Sequence, residues 1–372
     1  MITHADALEQ AALDTDIFSS RTSLGISQRV LQIAAEVFPD GMPDRQAPTI
    51  MNSDPPEHAS KRTLVNRAFT PRAVQAYAPV IREIVSELLD EIAQRGKADI
   101  ASEFSQHVSA RVIAHLLGMS QDFPRQLADF IDARLALYNN TLDESAILRY
   151  AYLHKTYCDQ LLAHIQTKLA NPAKDLTSAF AAAYTERYGP CENLSAELFP
   201  IMISVVLGGQ ETTANLISNV IHQLASRPEL GEMLDANPES IPLLVEESIR
   251  HRPPVLGTYR VATRETTIQG VTIPAGGRIK MAWSSGSRDS NRFPNPDEFH
   301  PNRPNGRSHL SFGSGIHFCV GAPLARLEAE IAVEQVLCRL PSLRLDPHGL
   351  IERTDNPLVW GLTRLEVIWE TT

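Results

Sequence analysis

The residues best placed to do chemistry in this chain surround Cys319. They read Phe312-Gly313-Ser314-Gly315-Ile316-His317-Phe318-Cys319-Val320-Gly321-Ala322-Pro323-Leu324-Ala325-Arg326. An isolated intracellular cysteine is usually a small buried hydrophobe, but these neighbours argue otherwise. Gly313, Gly315 and Gly321 permit backbone conformations closed to other residues and let the main chain approach a flat ligand closely. The spacing predicts a helix from near Val320, whose early Pro323 suits a first turn. Free N–H groups and the positive end of that helix favour thiolate over thiol. A thiolate at the mouth of a glycine-rich loop is poised to bind a metal. Cys158, Cys191 and Cys338 lack such surroundings and are expected to be structural.

A second constellation is Gly208-Gly209-Gln210-Glu211-Thr212-Thr213, inside a long apolar stretch. Glycine in a helix interior costs roughly 1 kcal/mol relative to alanine. A close packing contact, or a need for open space beside the helix, would explain two of them. A carboxylate next to a hydroxyl can organise water for proton delivery. A helical threonine can also bond back to the carbonyl one turn earlier and loosen the ladder. Elsewhere, Glu247 and Arg250 are spaced to meet on one helical face, a pairing usually found as a weak surface ion pair. His58 and Arg62, in Asp54-Pro55-Pro56-Glu57-His58-Ala59-Ser60-Lys61-Arg62, share a face and can clamp one carboxylate.

The elements that must position these residues are mostly helical. From Arg72 to about Leu169 apolar residues return every three or four positions, as in Val80-Ile81-Arg82-Glu83-Ile84-Val85. A polar break over about Ala170 to Ser195 precedes one long core helix, about Ala196 to Ser226, apolar on most sides from Leu198 to Leu207. Another helix is predicted from about Pro238 to Ile249, stopped by Pro253-Pro254. Thr266 to Trp283 reads as short strands punctuated by Gly270, Pro274, Gly276 and Gly277. A loop from Ser284 to Gly315 leads into the last helix, which ends near Leu340.

Bulk properties narrow the function classes. With 43% hydrophobic residues the 372-residue chain can bury a substantial core. Its net charge of −10 argues against nucleic-acid binding, which needs clustered Lys and Arg, but leaves room for a local basic patch facing an acidic partner. Four widely spaced cysteines are no disulfide framework. The N-terminus has no basic region followed by an apolar run, and no stretch approaches the ~18 apolar residues of a spanning helix. These features point to a cytosolic protein without nucleic acid or membrane, and a monomer is expected.

The Cys319 stretch resembles the haem-binding signature of the cytochromes P450: a Phe, a Gly three residues on, a His or Arg, the Cys, and a Gly two residues after it. Here these are Phe312, Gly315, His317, Cys319 and Gly321, and Leu324-Ala325-Arg326 continues the match. The resemblance implies that Cys319 is the axial iron ligand of haem b (iron protoporphyrin IX), with Phe312, Gly313 and Gly321 against the cofactor. Glu247 and Arg250 resemble the family's Glu-x-x-Arg motif. Arg303, in Phe299-His300-Pro301-Asn302-Arg303, matches the arginine completing a buried network that locks the Cys319 loop. These three are scaffold. His58, Arg62, Arg260 (in Tyr259-Arg260-Val261-Ala262) and His317 match contacts to the haem propionates. Glu211 and Thr212 resemble the acid–alcohol pair that delivers protons to the distal oxygen, with Gly208 leaving room for O₂; Gln210 is given no role.

The similarity runs along the whole chain, including Asp16-Ile17-Phe18-Ser19-Ser20 and Asn356-Pro357-Leu358-Val359-Trp360-Gly361-Leu362, and looks like the soluble bacterial class. The implied fold is mainly α (α+β), a single P450-like domain over residues 1–372 with many helices and a small strand-rich part. One departure is that Met1 to Ala12 resembles a segment normally preceded by a helix and the first strands. Either the start codon is placed late, or the fold tolerates an exposed sheet edge.

The implied activity is a monooxygenase inserting one oxygen atom from O₂ into a small or medium organic substrate. Met42 to Met51, Ala136 to Asn140, Val205 to Gly208, Val255 to Thr258 and Val359-Trp360 are expected to line its pocket. No flavin, nicotinamide or iron–sulfur fingerprint is present. Electrons from NAD(P)H are therefore expected through a separate ferredoxin or flavodoxin and its reductase, docking behind Cys319 with Arg326 or nearby basic residues. Two other readings stay open. One is a peroxygenase using H₂O₂, against which Glu211-Thr212 argues; the other is a haem-binding sensor or carrier without turnover.

Overall fold

Apolar periodicity becomes helix through most of the chain in the computed structural model, which describes residues 1–21, 26–43, 48–120, 123–137, 141–356 and 358–371. Two compact units emerge: Met1–Phe18 with Phe69–Val112 and Gly209–Thr372, and Ser19–Ala68 with Ile113–Gly208.

In the first unit the helix Ala322–Arg339 packs against Ala78–Ile92, Glu211–Ser226 and Ile241–His251. Ala78–Ile92 buries Ile81, Ile84, Val85, Leu88, Leu89 and Ile92, the spacing that its sequence predicts. Each such side chain contributes about 1.5–3 kcal/mol on burial. Arg82 adds a bidentate bridge to Glu334, at 2.9 and 2.7 Å.

The strands of this unit form small antiparallel pairings. Thr258–Ala262 pairs with Arg278–Met281, Thr258 opposite Met281. Thr266–Ile268 and Val271–Ile273 form a hairpin whose turn, Gln269-Gly270, has φ of 48° and 76°. Two central residues at positive φ match the twist of the flanking strands. Lys97–Asp99 pairs with Leu362–Ile368. Ile2 bridges Met281 in parallel, and the helix Ala5–Leu13 shares a core with Ile279, Met281, Trp283 and Leu310.

In the second unit the helix Gln28–Ala34 packs on the long helix Glu144–Ala170, with Val30, Ala34, Ile147 and Ala151 in their shared core. Phe123–Ala136 packs on the same long helix, and Leu176–Tyr188 lies against Glu57–Asn66. Among the described residues, no helix is long and apolar enough to cross a membrane.

Four sequence expectations need correction. The single long core helix is two, Leu194–Gly209 and Glu211–Ser226, separated at Gln210 with φ −84° and ψ −69°; consecutive glycines just before this point weaken helix continuity. The polar break before it contains the helix Leu176–Tyr188, capped by Asp175 accepting from Ser178 N at 2.8 Å. Its buried face includes Thr177 and Ser178, so hydrophobic periodicity does not reveal it. The strand Thr258–Ala262 begins before the predicted strand region, and Lys97–Asp99 interrupts a stretch read as helical. The last helix, Ala322–Arg339, lies close to its expected bounds.

Candidate active site

Cys319 is held by a tight backbone loop. Its N–H donates to Phe312 O at 2.9 Å, Gly313 N donates to Leu310 O at 2.8 Å, and Phe318 N donates to Gly315 O at 3.1 Å. Gly313 and Gly315 take φ of 74° and 69°, where a side chain would be strained. A Cβ at Gly315 would also stand 2.6 Å from Ala12 O. Gly321 lies under the thiol, a Cβ there falling 3.9 Å from Sγ. The Cys319 side chain remains partly exposed. Val320 and Gly321 intervene before the helix, and the N–H of its first residue, Ala322, donates back to Cys319 O at 3.4 Å.

The loop is tied to the helix Ile241–His251 through serines. Ser311 Oγ donates to Ile249 O at 2.8 Å, and Ser287 Oγ accepts from Leu310 N at 3.0 Å. On that helix Glu247 and Arg250 form a buried bidentate pair, at 2.7 and 2.8 Å. Arg250 also donates to Ser287 O, Pro296 O and Glu298 O, at 3.1, 2.9 and 3.1 Å. Arg303 Nε lies 3.6 Å from Glu247 Oε1, and its guanidinium donates to Pro294 O, Asn295 O and Glu298 O. The three residues expected to form one network are therefore together, fastened to the 294–300 loop.

A second buried triad was not anticipated from sequence. Glu246 receives Arg326 Nε and Nη2, both at 2.7 Å, and contacts His309 Nε2 at 3.0 Å. Burial by itself would raise the Glu246 carboxyl, but the bonds from Arg326 and His309 hold it at about 2. Arg326 also stacks on Phe312, with Cζ 4.6 Å from the ring centroid. Its guanidinium thus braces the Cys319 loop internally, with the side chain still 26% exposed. Glu246 adjoins Glu247 in sequence but looks like surface charge until His309 and Arg326 are brought beside it.

Within the same unit, Arg260 sits on Thr258–Ala262, 6% exposed, with Nη1 donating to Tyr259 O at 2.9 Å. His317 closes the short turn Gly315–His317, two residues before the cysteine. Glu211 and Thr212 open the helix Glu211–Ser226 and are half-buried, whereas Thr213 is buried. Val255 bridges Val359, and Trp360 N donates to Pro254 O at 2.8 Å. Two expected pocket-lining stretches thus meet.

In the second unit His58 and Arg62 lie one turn apart on the helix Glu57–Asn66. His58 is 3% exposed, and Arg62 Nε donates to Asn66 Oδ1 at 2.8 Å. Gly208 is exposed, with no described atom within 4 Å of a Cβ built there, which disfavours a packing contact. Of the other expected pocket-lining residues, 44–47 and 138–140 lie outside the described residues, as does Pro357 of the C-terminal motif.

The donor chemistry of the first unit fits haem: a partly exposed thiol on a glycine loop suits its iron, and the Arg260 guanidinium and His317 imidazole are of a type that suits its carboxylates. The family model "Cytochrome P450" matches residues 109–367. Cytochrome P450 107B1 of Saccharopolyspora erythraea is 36% identical over 373 residues, covering 99% of this chain and 88% of that protein. Mycinamicin IV hydroxylase/epoxidase of Micromonospora griseorubida is 35% identical over 328 residues, covering 86% of this chain and 79% of its own. The structure of P450BioI with a fatty-acid-ligated acyl carrier protein is similar at a TM-score of 0.86 and 30% identity, covering 99% of this chain and 92% of that one. This chain belongs to the cytochrome P450 family, and it is an oxidoreductase of the monooxygenase type.

Proposed function

We propose that this cytochrome P450 hydroxylates or epoxidises a small or medium organic molecule, using electrons passed from NAD(P)H through a separate ferredoxin or flavodoxin and its reductase. The observation that carries the reading is the Cys319 loop. Its thiol is presented at a partly exposed position by two positive-φ glycines and braced by two buried carboxylate–arginine systems.

Cys319 would hold the iron of haem b, with Phe312, Gly313 and Gly321 beneath it. Arg260 and His317, together with His58 and Arg62, would hold the propionates. When bound, the haem supplies a redox centre able to bind and activate dioxygen. Glu211 and Thr212 would hold water and move protons from the carboxyl and hydroxyl toward the distal side. Gly208, with no described atom near its Cβ position, would leave room there. Glu247, Arg250 and Arg303 position the loop and touch no reactant. Relatives named hydroxylase and epoxidase support the class of reaction.

The test is a difference spectrum of the reduced protein with CO, beside Cys319→Ser. A far red-shifted Soret band in the parent and its loss in the variant are expected; folded, haem-loaded parent protein without that band would end the axial-ligand assignment. Substrates found by spin-state shift are then turned over with a ferredoxin chain or with H₂O₂. Turnover with peroxide alone would instead establish a peroxygenase.

A further inference from the structure

Arginines gather on the first unit around a cleft, and the reaction above uses none of them. The cleft encloses about 280 Å³ and is lined by Arg252, Arg288, Ser284, Ser285, Leu256 and Trp360 among others. Leu256 and Trp360 are shared with the expected pocket-lining stretches, whereas the arginines and serines are not. Arg353 stacks over Trp360, with Cζ 4.8 Å from the ring centroid. Burial lowers the Arg252 guanidinium, and Arg353, Arg227 and Arg288 lower it further. The charged groups that Arg252 feels most are thus all cations.

Little in the protein offsets this charge. Arg288 donates to His251 O, at the last turn of the helix Ile241–His251, and to Asp297 Oδ1 at 2.8 Å, a carboxylate 83% exposed. Arg227 bonds Gln223 Oε1 and lies over Phe299 at 5.2 Å. Arg252 Nη1 meets His222 Nδ1 at 3.0 Å. An arginine has no acceptor, so Nδ1 must accept and His222 is neutral. Burial, with Arg252, Arg227 and Arg353, holds that imidazole at about 4. Among the described residues no carboxylate pairs with Arg227, Arg252 or Arg353. The indole N–H of Trp360 is buried without a hydrogen-bond partner, and buried donors left unpaired are rare because each forfeits its hydration.

We propose that this cleft binds a small phosphate-class oxyanion. The guanidinium forks of Arg252 and Arg353, the hydroxyl of Ser285 and the indole N–H offer donors to tetrahedral oxygens, while Pro253 and Leu256 form apolar walls. Helix-end capping explains Arg288, but it does not explain Arg252 or Arg353. An anion here would draw the end of the helix Ile241–His251 toward the Trp360 turn. That turn is already joined to the following strand by Trp360 N to Pro254 O and Leu256 N to Leu358 O, each 2.8 Å. The same strand leads to Arg260, so occupancy would stiffen the segment carrying it.

The experiment titrates the holoprotein with inorganic phosphate and with pyrophosphate at constant ionic strength set by NaCl, read by calorimetry and by melting temperature. Saturable heat and a concentration-dependent rise in melting temperature are expected, as for any ligand that binds only the folded state. Arg353→Gln, at an exposed position with little bearing on folding, should weaken binding tenfold or more with the CO spectrum unchanged, and Arg252→Gln should do the same. Equal stabilisation by chloride at the same ionic strength, or unaltered affinity in Arg353→Gln, would overturn the site.

Discussion

Glu247 and Arg250 are 1% and 0% exposed, so both charges have left water and depend on each other. Removing one partner of such a pair strands the other and typically costs about 3–5 kcal/mol. Glu247→Leu should therefore lose about that much in urea unfolding, and the surviving folded fraction should hold haem poorly. An unfolding curve close to the parent's would show that Arg303 and the loop carbonyls hold the segment unaided. Glu328 presents the opposite case. It is fully buried, neither carboxylate oxygen has a hydrogen-bond partner, and burial pushes its carboxyl well above the usual range. A raised acid favours folding below its unfolded pKa, and that contribution is lost as pH rises toward the folded value. Glu328→Gln should thus stabilise the protein at pH 7 and do so less at pH 4, which paired thermal melts would check. A uniform gain at both values would mean that ionisation plays no part.

At the scale of elements, the Cys319 loop depends on backbone shape. Gly315 combines φ of 69° with a Cβ position 2.6 Å from Ala12 O, on the helix Ala5–Leu13. Gly315→Ala meets both obstacles and should destabilise by more than the ~0.4–1 kcal/mol that a compatible Gly→Ala change gains. It should also lower the yield of haem-loaded protein. Full stability and haem content in that variant would show that the loop can move away from Ala12 at no cost. The break between Leu194–Gly209 and Glu211–Ser226 matters likewise, because it sets Glu211 and Thr212 in the first turn of a helix instead of its middle.

Over the whole molecule, acid sensitivity should arrive in two stages. His251 is held at about 4 by burial and by Arg288, Arg250 and Arg252, and His222 at about 4 by burial and Arg252, Arg227 and Arg353. Both bind a proton more readily when unfolded, so their contribution is present above about 6.5 and falls away as pH drops through about 4. Glu246, held at about 2, contributes above its unfolded value near 4.5 and loses that contribution between there and about 2. Melting temperature should begin to fall just below pH 6.5 and fall again below 4.5. A flat profile down to pH 4.5 would remove the histidine stage.

Much of the chemistry was legible in the chain alone wherever it is local. The Cys319 loop, the His58–Arg62 spacing and the Glu247–Arg250 spacing are short-range patterns, and short-range backbone geometry follows from residue types such as glycine and from the helical repeat. Amphipathic spacing located Ala78–Ile92 for the same reason, and it failed for Leu176–Tyr188, whose buried face carries Thr177 and Ser178 with hydroxyls satisfied by Leu117 O and Ala173 N. What only tertiary structure decided is long-range. Arg303 reaches Glu247, Glu246 gathers His309 and Arg326 from 63 and 80 residues away, and Arg353 comes to Trp360 beside Arg252. A charge in sequence carries no sign of its burial or its partner. Those depend on which helices pack together, and packing is set by the summed burial of apolar faces across the entire chain.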